Sequence, residues 1–145
     1  MNSKEFKRVF DKLAQANNFE KLFSGWFKES LESIVVLDLQ RSNFGNYYEL
    51  NIKIFVQGLF DNKYVRNKDL VKRYTGDIFI RQPNEYNNVF NLEILMDDKK
   101  RKKELECLFQ KFIVPLVHQA LSRVGLKELD KQGKIFILPA VKERL

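Results

Sequence analysis

The sequence has only one cysteine, Cys107, so no disulfide can form within the chain. A single thiol agrees with a reducing compartment, and we expect a cytoplasmic protein. No apolar run approaches the roughly 18 residues that a membrane-spanning helix needs. The N-terminal residues MNSKEFKRVF also lack the apolar stretch that is typical of a secretion signal. These absences predict a protein without a membrane partner.

Residue types that carry catalysis or bind metals are scarce. His118 is the only histidine, and as a neighbour of Val117 on a predicted helix it is more simply a surface or boundary residue than a general base. Cys107 and His118 are eleven positions apart, about 16 Å along a helix, so they cannot share a zinc ion. The six glycines are scattered and form no phosphate-binding loop. We therefore predict no metal, no cofactor and no enzymatic activity.

The composition is that of a soluble globular protein, with 44% hydrophobic and 31% charged residues. Its 145 residues are the size of one ordinary domain, and we expect residues 1–145 to form a single one. The net charge of +7 favours anionic partners, of which nucleic acid is one. However, 26 basic residues are interleaved with 19 acidic ones, so charge alone does not decide the partner.

Two stretches have the apolar spacing of amphipathic helices. The first runs from Ser3 to Ala16 and begins with Asn2 as its cap. The second begins at Asp97 or Asp98, and Gly125 is expected to end it as a C-terminal cap. Pro115 predicts a kink or break near residues 111–114. The apolar stripe of this long helix comprises Leu105, Leu108, Phe109, Phe112, Ile113, Leu116, Val117, Ala120, Leu121 and Val124.

Several stretches alternate apolar and polar side chains, as antiparallel strands do. They are FEKLFSGWFKES (19–30, a strand or hairpin with Ser24-Gly25 as its turn), LESIVVLDLQRS (31–42), YYELNIKIFV (47–56), DIFIRQ (77–82), NVFNLEIL (88–95) and GKIFILPAV (133–141). Residues 57–76 are interpreted as a long connection with a helical turn near 69–73. The fold class predicted is two-layer α+β: an antiparallel sheet of about four to six strands with an N-terminal helix and a long C-terminal helix packed on one face.

The alternation constrains how the two best-defined strands pair. An odd sum of paired residue numbers keeps apolar opposite apolar, for example Gln40 opposite Glu49 and Asp38 opposite Asn51. If helices cover only the apolar side, the other side is an open polar face. Its expected members are Asp38, Gln40, Glu49, Asn51, Lys53, Asp77, Arg81 and Glu93.

This polar face can be a recognition surface or simply the solvated side of an antiparallel sheet. Gln40 and Asn51 favour recognition because their amides donate and accept hydrogen bonds and they are poorer strand formers than Thr or Val. At the hairpin tip, Phe44, Tyr47 and Tyr48 could serve as interface anchors or fold back over the core.

The strongest charge run, KKRKK at residues 99–103, could contact phosphates or the acidic patch of a partner. A plain solvated helix face is the simpler interpretation.

The stretches VVLDLQRSNFGNYYELNIKIF, IFIRQ and KIFILPAVKERL resemble a bacterial family known as domain of unknown function 4304. Its members typically show a hydrophobic strand ending in Leu-Gln-Lys/Arg-Ser, a short loop with an aromatic residue, a strand with a central Asn, and a later strand with an Arg. Lys53 stands where a Gly often follows the Asn of the family. The resemblance implies a small bacterial α+β domain and no particular reaction. The family pattern falls on Gln40, Arg41, Ser42, Asn51 and Arg81.

The sequence therefore predicts a non-enzymatic bacterial interaction module that binds a protein or a small polar or anionic ligand through Gln40, Ser42, Asn51 and Arg81. Arg81 would supply a charged fork for a carboxylate or phosphate. An immunity or accessory protein fits this description. One alternative is a nucleic-acid-binding protein that uses KKRKK and exposed aromatics. Another is a hydrolase dependent on a carboxylate of Asp38, Glu49 or Asp77, which would need a raised pKa in a closed pocket.

Overall fold

The structure is a computed structural model that describes residues 1–145. Its helices are α1 (Ser3–Ala16), α2 (Lys68–Lys72), α3 (Asn87–Phe90), α4 (Asp98–Leu108), α5 (Val114–Ala120), α6 (Arg123–Lys131) and α7 (Pro139–Lys142). One five-stranded antiparallel sheet contains, in chain order, β1 (Glu20–Leu22), β2 (Gly25–Glu29), β3 (Ser33–Arg41), β4 (Tyr48–Val56) and β5 (Ile78–Arg81). None of the helices combines the length and the apolarity that crossing a membrane requires. The predicted α+β fold class is confirmed.

Helix α1 has the predicted bounds because its two ends carry clear signals. Asn2 Oδ1 accepts a hydrogen bond from the Glu5 amide at 2.8 Å, which satisfies one of the free N–H groups at the helix start. Asn17 then caps the C-terminal end with its backbone N–H, and Asn18 turns away with a φ of 68°. Between these ends, Phe6, Phe10 and Ala14 are fully buried against the sheet.

The sheet has the predicted hairpins and register. Phe23 and Ser24 both have positive φ values, 53° and 64°, which is the conformation of a tight two-residue turn between β1 and β2. Between β3 and β4, Gln40 pairs with Glu49 and Asp38 pairs with Asn51. The parity argument is therefore confirmed.

The long C-terminal helix is a continuous run of 23 residues, Asp98 to Ala120, interrupted by a π-helical segment at Phe109–Ile113. This segment lies where the kink was predicted, because Pro115 has no N–H to donate to the preceding turn. The run packs on the same sheet face as α1. Its fully or almost fully buried apolar side chains include Leu105, Leu108, Phe109, Ile113, Val117 and Ala120.

The prediction that Gly125 caps this helix is wrong. The helix ends at Ala120, and Ser122 begins α6, its Oγ accepting a hydrogen bond from the Gly125 amide at 2.9 Å. Gly125 is needed for a different reason: a Cβ built on it would lie 1.9 Å from the Gln119 carbonyl oxygen. Val124, expected in the buried stripe, is 76% exposed because the chain has already changed direction before it.

Two predicted strands do not exist. Residues 87–90 form α3, and only Asn91 makes an isolated bridge, with Tyr47. Residues 134–138 belong to no strand, and α7 starts at Pro139. Alternate residues Ile135 and Ile137 join the core, so an alternating pattern is satisfied by packing without a sheet partner.

The second sheet face is only partly polar. Helix α2, within the connection 57–76, lays Leu70 and Val71 on this face. They complete a small second core whose buried members also include Phe27, Ile34, Val36 and Phe55. Half of this face is therefore covered by α2, and the other half holds the polar side chains.

Candidate functional site

The polar half of the second sheet face brings together side chains from three adjacent strands. Residues 38 and 40 on β3 face residues 51 and 49 on β4, and Asn51 pairs with Arg81 on β5. Successive side chains on a strand alternate between faces, so these residues all point away from the main core. We call them the polar patch: Asp38, Gln40, Glu49, Asn51 and Arg81.

Asn51 is the centre of the hydrogen bonding in the polar patch. Its Nδ2 donates to Gln40 Oε1 at 2.9 Å and to Asp38 Oδ2 at 3.3 Å. Its Oδ1 accepts from Arg81 Nε at 3.3 Å. With 4% exposure, Asn51 cannot itself contact a ligand widely, and its role is to position Gln40 and Arg81.

Arg81 is the exposed cation of the polar patch. Only its Nε is engaged within the chain, and the two terminal nitrogens have no hydrogen-bond or ion-pair partner. Its guanidinium carbon lies 5.5 Å from the ring centroid of Phe79, which is itself 38% exposed. The Arg81 side chain is thus fixed at Nε by Asn51 and beside the Phe79 ring, and its two terminal nitrogens are free to bind an anion.

Asp38 is occupied by two lysines. Lys72 Nζ on α2 lies 3.6 Å from Asp38 Oδ1, and Lys53 Nζ lies 3.9 Å from Oδ2. Lys53 is buried, donates to the Val71 carbonyl at 2.5 Å, and has a pKa lowered mainly by that burial although Asp38 opposes the shift. Asp38 is therefore the ion-pair partner of two lysines at the edge of α2.

Gln82 is a site residue that sequence reasoning missed. Its Oε1 accepts from the Leu50 amide at 2.8 Å, and its Nε2 donates to Glu49 Oε2 at 2.9 Å and to Asn87 Oδ1 at 3.1 Å. The side chain thus continues the β4–β5 ladder where Pro83 ends it. The available signal was an amide residue placed directly before a proline at the end of a strand.

Ser42 does not join the polar patch. Its Oγ accepts from the Phe44 amide at 3.0 Å, so its role is to shape the β3–β4 loop. That loop leaves Phe44 94% exposed. Tyr48, by contrast, is buried and stacks on Phe6 with ring centroids 5.3 Å apart, so of the predicted aromatic anchors Phe44 alone is fully presented.

Asp77 and Glu93, expected on the same polar face, lie elsewhere. Asp77 precedes β5 at the far end, where its carboxylate accepts from the Val56 amide at 2.8 Å and from Tyr64 Oη at 3.2 Å. Burial raises the pKa of Asp77. Glu93 follows α3 and accepts from the Asn46 amide at 3.1 Å, which fastens the β3–β4 loop. The prediction for Asp77 is wrong because β5 starts one residue later, at Ile78. The prediction for Glu93 is wrong because no strand forms at residues 88–95.

The basic run at residues 99–103 is not a uniform solvated face. Arg101 is 2% exposed, and its terminal nitrogens donate to the carbonyl oxygens of residues 88, 89, 91 and 94 at 2.7–3.2 Å. Burial lowers its pKa. It satisfies the free carbonyls at the end of α3 and holds the segment that replaces the predicted strand. The four lysines of the run are exposed.

Cys107 is half-buried and His118 is exposed on α5. No three His, Cys, Asp or Glu side chains come together in a way that could hold a metal ion. Four grooves of about 400 to 540 Å³ lie outside the polar patch, along α1, beside Tyr64 and between α5 and α6. None of these four grooves is lined by Gln40, Asn51 or Arg81.

Comparison with known proteins gives one match. A family model described as "Domain of unknown function (DUF4304)" matches residues 10–119. These residues include all five strands, α2 to α4, the second half of α1 and all of α5 except Ala120. No curated protein and no solved structure matches the chain.

Proposed function

This chain belongs to the DUF4304 family, and we propose that it is a non-enzymatic binding module whose polar patch recognises an anionic group on a protein or small polar ligand. Arg81 is the anchor, and Gln40 sets the orientation of the bound group. The observation that carries the proposal is the Arg81 side chain, exposed yet fixed by Asn51 and Phe79.

The fixed geometry of Arg81 favours binding because less side-chain freedom is lost when a ligand arrives. A free arginine has to be ordered before its planar fork can pair with a carboxylate or phosphate. Here Nε is already hydrogen-bonded and the guanidinium lies beside an aromatic ring. The two terminal nitrogens stay available for a bidentate contact.

Gln40 supplies a second donor. Its Oε1 accepts from Asn51, which directs its Nε2, the remaining donor, away from that bond. Gln40 is exposed, so this donor is accessible beside Arg81. Two donors on adjacent parts of one face suit a ligand with several acceptor oxygens.

A protein partner is favoured over a small ligand by the exposed aromatics. Phe79 lies beside Arg81, and Phe44 extends from the loop that follows the strand of Gln40. Aromatic side chains around a charged anchor are typical of protein interfaces. An immunity or accessory role, in which the module binds and restrains another protein, fits this surface.

The test is affinity capture from the native host with the tagged full chain and two variants. Arg81→Ala should abolish capture of the partner without changing the melting temperature appreciably, because the side chain is on the surface. Arg73→Ala is the matched control: Arg73 is also exposed and lies 5.6 Å from an aromatic ring, that of Tyr74. A partner captured equally by the Arg81 variant would exclude Arg81 as the anchor.

A further inference from the structure

A groove between α1, the β1–β2 turn and the end of α2 concentrates positive charge on a surface that the polar patch does not use. It has a volume of about 400 Å³. We call it the basic groove. Its basic lining residues are Lys4, Lys7, Arg8, Lys21 and Lys72, and its single acidic lining residue is Asp11.

Asp11 does little to neutralise these cations because its oxygens are already used. Oδ1 accepts from Trp26 Nε1 at 2.9 Å and from Gln15 Nε2 at 2.8 Å. Oδ2 lies 3.9 Å from Lys21 Nζ. The Asp11 carboxylate therefore links α1 to Trp26 on β2. Of the five basic side chains in the lining, it pairs only with Lys21, and at long range.

Three cations of the basic groove have no ion-pair partner. Lys4 and Arg8 make no polar contact within the chain, and Lys7 lies only over the Tyr48 ring, at 5.8 Å. They are spaced three and four residues apart in the first turns of α1, where like charges repel and cations oppose the positive helix end. This arrangement is unfavourable for the free chain and becomes favourable when an anion neutralises it.

The lining of the basic groove indicates what kind of anion fits. A protein interface would need an exposed apolar or aromatic anchor, and a single-stranded nucleic acid would need a stacking platform. The only aromatic residue in the lining, Trp26, is 4% exposed and hydrogen-bonded to Asp11. What remains accessible is a row of lysine and arginine ends, which is what contacts the phosphates of a duplex.

The neighbouring groove between α1 and α4 extends this surface but is not strongly basic. Arg8 lines both grooves. In the second one, Lys12, Lys99 and Lys102 are mixed with three carboxylates, those of Glu5, Asp98 and Glu106. Lys99 and Lys102 of the 99–103 run thus lie at the edge of the positively charged surface, and the basic groove forms its centre.

We propose that the basic groove binds the phosphate backbone of duplex nucleic acid without base specificity. This inference does not rest on the function proposed for the polar patch. Arg81 does not line the basic groove, and the two surfaces meet only at Lys72, which lines the groove and lies 3.6 Å from Asp38 Oδ1. Variants of Arg81 therefore leave the cations of α1 in place, and variants of Lys4 and Arg8 leave Arg81 in place.

The test measures fluorescence anisotropy of a labelled 20-base-pair duplex titrated with the full chain at several salt concentrations. Contacts between five cations and phosphates predict a slope of log K against log salt of about −4.5. Replacing Lys4 and Arg8 by Gln should make this slope less steep by about 2 units and weaken binding at least about tenfold at low salt.

The matched control replaces Lys127 and Lys131 by Gln. These residues are exposed, four positions apart on α6, and without an ion pair, so the control removes the same charge at the same spacing. It should weaken binding much less than the Lys4 and Arg8 variant, and both variants should keep the wild-type melting temperature.

Three results would overturn the proposal. Equal weakening by the control would mean that net charge alone attracts the duplex. Tighter binding of a single strand of the same length would exclude the duplex as the preferred ligand. Binding of poly-glutamate as tight as that of the duplex would show that any polyanion suffices.

Discussion

Arg81 and Asn51 are directly opposite each other on β5 and β4, and Arg81 Nε donates to Asn51 Oδ1 at 3.3 Å. One of the two residues is buried and the other is exposed. The buried Asn51 amide thus orients the exposed Arg81 guanidinium. The amide is itself held in place by its hydrogen bonds to Asp38 and Gln40.

Replacing Asn51 by Leu should destabilise the fold by about 1–3 kcal/mol, because the buried Asp38 carboxylate loses a hydrogen bond while the branched shape of the side chain stays similar. Gln40→Ala is the control on the exposed side of the same network and should cost about 0.5 kcal/mol or less. Urea denaturation of the two variants measures both values. Equal losses would mean that Asn51 is not the centre of the network.

Phe109→Ala should cost about 3–5 kcal/mol of unfolding free energy, because this ring is fully buried and packs against Phe10 with centroids 5.1 Å apart. The apolar stripe in the sequence contains both Phe109 and Phe112 and predicts equal burial for the two rings. In the structure Phe112 is half-buried and lines a groove with Pro115 and His118. Phe112→Ala should therefore cost about half as much or less. Denaturant titration of the two variants gives the ratio of the two losses, and a larger loss for Phe112 would contradict the deeper burial of Phe109.

The stability of the protein should fall between about pH 10 and about pH 12 in a way that depends on Tyr64. Burial, together with the nearby Asp77 carboxylate, raises the pKa of Tyr64 to about 12, whereas its ordinary value is 10.0. In this interval native Tyr64 keeps its proton and the unfolded chain releases it, so the unfolded state binds fewer protons and the free energy of unfolding decreases as pH rises.

Tyr64→Phe should remove this part of the pH dependence, which denaturant titration at several pH values measures. The absorbance difference between wild type and variant at 295 nm should show a tyrosine that ionises with a midpoint near 12. Tyr74→Phe, at an exposed tyrosine, serves as the control. A Tyr64 midpoint near 10 would contradict the half-buried, hydrogen-bonded pair of Tyr64 and Asp77.

The parity of the β3–β4 pairing could be predicted, because a period of two residues with a buried face allows only one parity. The same period did not identify the segments at 88–95 and 133–141. There the alternation reflects packing of alternate side chains, and a strand exists only if another strand supplies hydrogen bonds to it. A local pattern contains no information about that partner.

The polar patch was predictable as a set of facing residues but not as a network with a buried centre. The sheet face of the polar patch also carries the apolar residues Ile34, Val36 and Phe55. Their apolar character predicts that something covers this part of the face, which an interpretation based on the polar residues alone does not include. That cover is α2, whose Val71 carbonyl accepts a hydrogen bond from the buried Lys53. How far a short helix in a long connection extends over a sheet depends on tertiary packing, which spacing along the chain does not determine.

Arg101 has a consequence for any mutagenesis of the 99–103 run. Four of its five side chains are exposed lysines that can be neutralised with little structural effect, whereas Arg101 holds four backbone carbonyls from the interior. A block substitution of the whole run would unfold the segment around α3 and imitate a loss of ligand affinity. A charge scan that spares Arg101 separates electrostatic attraction from misfolding.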